Sequence, residues 1–347
     1  MTARSKNYEW LALTVEEALE PELPICDPHH HLWDLQTTRA TTRYLLDEIL
    51  ADVGTGHHVV STVFIECGAM FKSDGPEALR PVGETEFVNG IAAMSASGLY
   101  GKTRVAAGIV GTASLRLGDA VAAVLDAQIA AGGGRFRGIR LGASWDPDDR
   151  VPNHRTKPGP GLFLRDDFRA GFAHLAPRGL TFEAWCYHRQ IPDATALARA
   201  FPGTTIILNH FGGPLGIGPY AGKALEVYAE WRTSISELAT CPNVVVKIGG
   251  INMEVNGFGW HERPRPPSSH ELADATRHYY EFTIEKFGVD RCMFESNFPV
   301  DKASCSYTVL WNSFKRLTSG YSAAEKAELF HDTAARVYRL PDARVSD

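Results

Sequence analysis

Short apolar runs alternate with longer amphipathic stretches along nearly the whole chain. The runs predict strands near Leu23–Asp27, His58–Ile65, Thr103–Ile109, Arg137–Leu141, Leu180–Trp185, Thr204–Leu208, Asn243–Ile248 and Arg291–Glu295. Between and after them, helical periodicity is clearest over Glu84–Ala96, Asp119–Ala131, Arg165–Ala176, Pro192–Ala200, Gly222–Ala239, Ser269–Phe287 and Ala323–Tyr338. Ser322-Ala323-Ala324-Glu325 is a capping box that starts the last helix, and Phe201-Pro202-Gly203 and Gly288-Val289-Asp290 are stops before the next strand. Strands alternating with helices imply α/β architecture with a parallel sheet of right-handed units. Eight such units in 347 residues fit a single (β/α)8 TIM barrel, distorted by long strand-to-helix loops. A doubly wound open sheet is the competing arrangement. It loses ground because no Gly-rich dinucleotide fingerprint follows the first strand, and Gly132-Gly133-Gly134 closes a helix instead of opening one. The barrel is expected over residues 23–340, with an N-terminal extension at 1–22 and a short tail at 341–347.

Three long loops, Gly68–Gly83, Trp145–Gly161 and Asn252–Ser268, follow the second, fourth and seventh strands. All lie on the strand C-terminal side, where barrel active sites sit and long loops form lids and substrate walls. Lys plus Arg is 35 and Asp plus Glu is 41, a net charge of −6, so no basic excess favours nucleic acid. No apolar run approaches a membrane span, and Met1–Glu22 lacks a secretory pattern. The six cysteines are scattered without CxxC spacing, as in reduced, buried thiols, which makes a cytoplasmic protein the expectation. Cys186 is the thiol to test as a nucleophile.

Candidate chemistry concentrates at the strand ends. In Asp27-Pro28-His29-His30-His31, alternate positions of a strand face one way, so His29 and His31 aim at one spot, as a divalent metal requires. Asp27 is in phase to orient a ring, and His30 points to the other face. The other ends supply Glu66, Arg140, His188, Asn209 with His210, Lys247, and Glu295 with Asn297 and then Asp301. In a closed barrel these meet around one pocket. Each also has a plainer reading: a buried structural histidine for His210, a loop residue for His188, an ion pair for Arg140, a snorkelling side chain for Lys247.

DPHHHLWD at Asp27–Asp34, GIRLG at Gly138–Gly142, the His188 region, LNHFGGP at Leu208–Pro214, VVVKIGG at Val244–Gly250 and MFESNFPVD at Met293–Asp301 together resemble the amidohydrolase superfamily. The similarity is to the amidohydrolase 2 branch of metal-dependent TIM-barrel hydrolases, which includes sugar lactonases, pyrone dicarboxylate lactonases and sulfomuconolactone hydrolases. The resemblance implies His29, His31 and His188 as metal ligands for zinc or manganese, and His210 in contact with metal or substrate. In that family the strand-eight motif holds an aspartate that binds metal and handles the proton of the attacking water. Here Asn297 stands in its place, a neutral amide that takes no proton and ligates weakly, so retention of the metal is left open. Asp301 is the first candidate to replace the aspartate and Glu295 the second.

The expected activity is hydrolysis of a small anionic lactone or ester by an activated water. His210, Asp301, Asn297 and Lys247 are the catalytic candidates, and Arg140, Glu66 and Trp145 the substrate-binding ones. The expected partner is a carboxylate-bearing small molecule, with neither nucleic acid nor membrane, and barrels of this size commonly form homo-oligomers. Two alternatives stay open: a decarboxylase or hydratase of the same fold acting on an aromatic or unsaturated acid, and a barrel whose site has decayed into a binding module.

Overall fold

The computed structural model describes residues 3–35 and 41–341. Runs such as Val59–Ile65 and Val244–Gly249 are buried at every position, as strands covered on both faces must be. They form β1 (Ile25–His30), β2 (Val59–Ile65), β3 (Arg104–Gly111), β4 (Phe136–Arg140), β5 (Thr181–Ala184), β6 (Ile206–Leu208), β7 (Val244–Gly249) and β8 (Cys292–Glu295). The eight strands lie side by side in chain order, every pairing parallel. This is the nearly closed TIM barrel that the alternation predicts.

The helices are α1 (Ala3–Leu11), α2 (Leu46–Val53), α3 (Val82–Ala96), α4 (Val121–Ala131), α5 (Asp166–Phe172), α6 (Ile191–Ala200), α7 (Ala224–Leu238), α8 (Ser269–Phe287) and α9 (Tyr307–Leu317), then α10 (Ala323–Ala327) and α11 (Thr333–Val337). The helix expected over Ala323–Tyr338 runs continuously from α10 to α11 through a π-helical turn at Glu328–Asp332. Such wide turns re-aim the residues beyond them. Here Tyr338, at the end of α11, is buried with Cys26, Val63, Ile65, Val110, Ile207, Val245 and Met293 and plugs the barrel interior. The end of α1 and the segment after it strap across the third long loop, through Trp10 Nε1 donating to the Arg263 carbonyl and Thr14 Oγ1 to the Pro266 carbonyl, both 2.9 Å.

The barrel's seam positions the site. Beyond β8 the chain meets β1 through Asn297 N–H donating to the His29 carbonyl (2.9 Å) and His31 N–H donating to the Phe298 carbonyl (2.8 Å). The β1–β2 register shifts between Asp27 and His30, so strict alternation ends just where the histidines begin.

Candidate active site

His29 is fully buried at the seam, ringed by partners from three other strand ends. Arg140, ending β4, donates from an Nη to His29 Nε2 at 3.3 Å, which puts the ring proton on Nδ1. Nδ1 lies 2.7 Å from Glu295 Oε2 and 3.4 Å from Lys247 Nζ. The other oxygen of Glu295 accepts from His210 Nδ1 at 2.7 Å. Burial, then the positive neighbours Lys247, His210, His31 and Arg140, hold the His29 pKa well below its ordinary value, so its ring is neutral. His31 donates from Nδ1 to the Ile65 carbonyl at 2.8 Å, which makes Nε2 its basic nitrogen.

Two of these residues sit on left-handed backbone: His210 at φ 52° and Asn297 at φ 55°. Such conformations cost about 1–3 kcal/mol unless the surroundings enforce them, and they cluster at functional sites. Gly250, in the turn after β7, clears the space for the His210 ring, since a β-carbon there would stand 2.1 Å from Nδ1.

Below the rings, Glu183 on β5 accepts from Lys247 Nζ at 2.9 Å, from the Asn209 amide and from the Tyr338 hydroxyl. Burial lowers the Lys247 pKa, against the pull of Glu183 and Glu295. Above, Glu66 is clamped between Arg140 Nε (2.8 Å) and the guanidinium of Arg155, from the loop after β4. Burial works to raise the Glu66 pKa, but Arg155 and Arg140 outweigh it and hold the carboxyl at about 2. The mouth is a cleft of about 320 Å³ lined by His31, Trp33, Arg140, His154, Arg155, Trp185, His210, Met253 and Asn297, among others.

His29, His210 and Glu295 thus meet, each offering a ligand atom within 4.8 Å of the others. His31 lies beside them, its ring centroid 5.0 Å from that of His29, but outside this set. His188 does not join. A turn at His188–Gln190 carries it away, where Nδ1 accepts from the Leu215 amide at 3.5 Å and Nε2 lies 3.8 Å from Glu230. Asp301 is buried outside the cleft lining, accepting from Asn297 Nδ2 at 2.8 Å, and burial raises its pKa to about 8. Trp145 is absent from the lining and its carbonyl accepts from Gln190; Trp185 and Trp33 stand at the mouth instead. Glu66 faces the two arginines as their counter-ion. Asp27 orients no ring: its carboxylate accepts from the backbone amides of His29 and Ser296 and from the Tyr307 hydroxyl. His30 is a buried structural residue hydrogen-bonded to Thr62. All six cysteines are free, and burial pushes the Cys186 thiol far up, which argues against a nucleophile.

An amidohydrolase family model (Amidohydro_2) matches residues 26–340. The chain belongs to the amidohydrolase family. Over 337 residues the amidohydrolase is 34% identical to "Uncharacterized protein y4mH" of Sinorhizobium fredii, covering 92% of this chain and 99% of that one. It is 29% identical to an L-fucono-1,5-lactonase of Burkholderia multivorans over 51% of this chain and 57% of that protein. A crystal structure of a Burkholderia multivorans amidohydrolase with bound zinc superposes with a TM-score of 0.68 at 23% identity, covering 91% of this chain and 99% of that one. Among the described residues, no helix is long and apolar enough to cross a membrane.

The donor set of the amidohydrolase suits a divalent cation. Two imidazoles and a carboxylate are the ligand types that bind zinc or manganese. The charges agree: at the floor, Glu183 and Glu295 face one ammonium, Lys247, with His29 neutral. Glu295 Oε2 is buried without an aligned hydrogen bond. Uncompensated buried negative charge is costly, and a cation beside Glu295 relieves it.

Proposed function

We propose that this amidohydrolase opens a small lactone, or hydrolyses a small ester, that carries a carboxylate. The observation that carries this reading is the stacking of two charge layers at one cleft: a rim where two guanidiniums share one carboxylate, above a floor of imidazoles and carboxylates. The rim's unbalanced positive charge suits a substrate anion, with Arg155 at the open edge placed to pair with it. A divalent ion, zinc or manganese, held by His29, His210 and Glu295, would supply Lewis acidity to the reacting oxygen.

The chain's own groups do the rest. Asn297, its amide nitrogen committed to Asp301, offers Oδ1 to orient a water. His31, its Nδ1 proton committed to Ile65, takes the water's proton at Nε2 as oxygen adds to the acyl carbon. The buried ammonium of Lys247 offsets the negative charge that builds above the floor. The ring C–O bond then breaks, and the leaving alkoxide regains a proton to give a hydroxy acid. The partial likeness to an L-fucono-1,5-lactonase supports the lactone class.

The test is a panel of sugar-acid and dicarboxylate lactones, with metal content measured on protein purified without chelator. Expected are ring opening that prefers carboxylate-bearing lactones, and a loss of about 10²–10⁴-fold in His31→Ala with the fold intact. Wild-type rates in that variant, or carbon dioxide release from an aromatic acid without lactone opening, would overturn the proposal.

A further inference from the structure

A second cavity, about 510 Å³, opens on the N-terminal face of the barrel, at the opposite end from the candidate site. Its wall is built from the end of α3, the start of β3, the Gly133-Gly134 turn after α4 and the start of β4. Four lining residues are cations, Lys102, Arg104, Arg135 and Arg137, and none is acidic. In a chain of net charge −6 this runs against the background.

The guanidiniums have only neutral acceptors among the described residues. Arg104 donates to the carbonyls of Ser95 and Ala96 at 3.4 and 3.1 Å, and Arg135 to Asn89 Oδ1 at 2.7 Å. Arg137 donates to the carbonyls of Gly134 and Phe136 at 2.8 and 3.0 Å, while its Nε is buried with no acceptor. Burial, then Arg339 and Arg135 beside it, press the Arg137 pKa below its ordinary value.

The plainer account is helix capping, since α3 and α4 both end here and Arg104 bonds the last carbonyls of α3. Each helix C-terminus carries roughly half a negative charge, so two of them offset about one of the four cations. The rest of the charge, and the orphaned Nε, are left unexplained by capping.

We propose that this cavity binds a compact polyanion, a small molecule bearing two or more carboxylate or phosphate groups, gripped by Arg104, Arg135, Arg137 and Lys102. The volume lies within the range of small-molecule sites. Guanidinium forks match carboxylate and phosphate oxygens two at a time. Such a ligand bridges the third and fourth strand–helix units without entering the mouth, and stabilises the folded chain by mass action.

Two probes, pyrophosphate and tricarballylate, distinguish phosphate from carboxylate recognition. Each is titrated into the full chain by calorimetry and by thermal unfolding, against sodium chloride of equal ionic strength. The expected result is saturable binding and a rise in Tm with at least one probe, and neither with chloride. Arg135→Gln and Arg137→Gln should each weaken binding about tenfold, the loss of one charge-assisted hydrogen bond. Because those side chains also bond the fold, Lys102→Glu supplies an independent check. Lys102 is exposed and forms no hydrogen bond among the described residues, so its reversal should weaken binding several-fold while leaving Tm without ligand unchanged. Arg155→Gln, at the mouth, should leave the affinity intact. The proposal fails if binding survives all three N-terminal-face variants, if it is lost in Arg155→Gln, or if only nucleic acid or anionic vesicles bind.

Discussion

The two ends of the barrel treat positive charge in opposite ways. At the C-terminal end Arg140 and Arg155 are met by Glu66, and Lys247 by Glu183. At the N-terminal end Arg104, Arg135 and Arg137 meet carbonyls and an amide and no carboxylate among the described residues. The first arrangement fixes positions through ion pairs, with one carboxylate shared by the two guanidiniums. The second is half-buried at a cavity open to solvent. A buried cation needs a carboxylate beside it, whereas a cation at a solvent-accessible cavity can persist without one.

The largest effect should come from breaking a closed pair. Glu183→Gln leaves the Lys247 ammonium buried without its carboxylate, and should cost about 3–5 kcal/mol by denaturant unfolding. Glu183→Gln with Lys247→Met should recover much of that loss. A single variant within about 1 kcal/mol of wild type would show that this pair does not hold the floor together.

Acid titration sharpens the contrast. The Glu66 carboxyl is held at about 2 against an ordinary 4.5, so its stabilisation is complete above pH 4.5 and drains away as pH falls toward 2. Wild-type Tm should fall through that window, and Glu66→Gln should start lower and fall less steeply. Equal slopes would mean that the arginine clamp contributes nothing to acid stability.

Asp301 acts with the opposite sign. It sits at the same end without a cation and keeps a proton instead, its pKa raised from 3.8 to about 8. Between those values the folded chain binds more protons than the unfolded one, so this group costs stability as pH rises toward 8. Asp301→Asn, which keeps an acceptor for the Asn297 amide, should flatten the decline in Tm on the approach to pH 8. An unchanged slope would assign the decline to another group.

The fold was legible because each strand is a short apolar run bounded by polar turns, so all eight were found with shifts only at their ends. The helices that escaped carry polar groups inward. In α9, buried at nearly every position, Asn312 bonds Glu16 and the Glu17 carbonyl, and Lys315 bonds the carbonyls of Leu19 and Glu20. At the site, Arg140, His210, Lys247 and Glu295 were readable as polar residues closing apolar strands. Glu183 carries the same signal, an acid inside the apolar run Leu180–Trp185. Arg155 carried none, because an irregular loop has no period to announce which side chain turns inward. His188 and Asp301 sit beyond their strands, where one tight turn decides whether a side chain faces the mouth or leaves it.

Tyr338 lies only nine positions before the end of the sequence, yet its hydroxyl reaches the Glu183 that steadies Lys247 and, through it, His29. Groups supplied by β1 therefore gain their full support only once the segment beyond α11 has packed. Removing the segment that carries Tyr338 would leave every group at the mouth in place and take away the stopper beneath it.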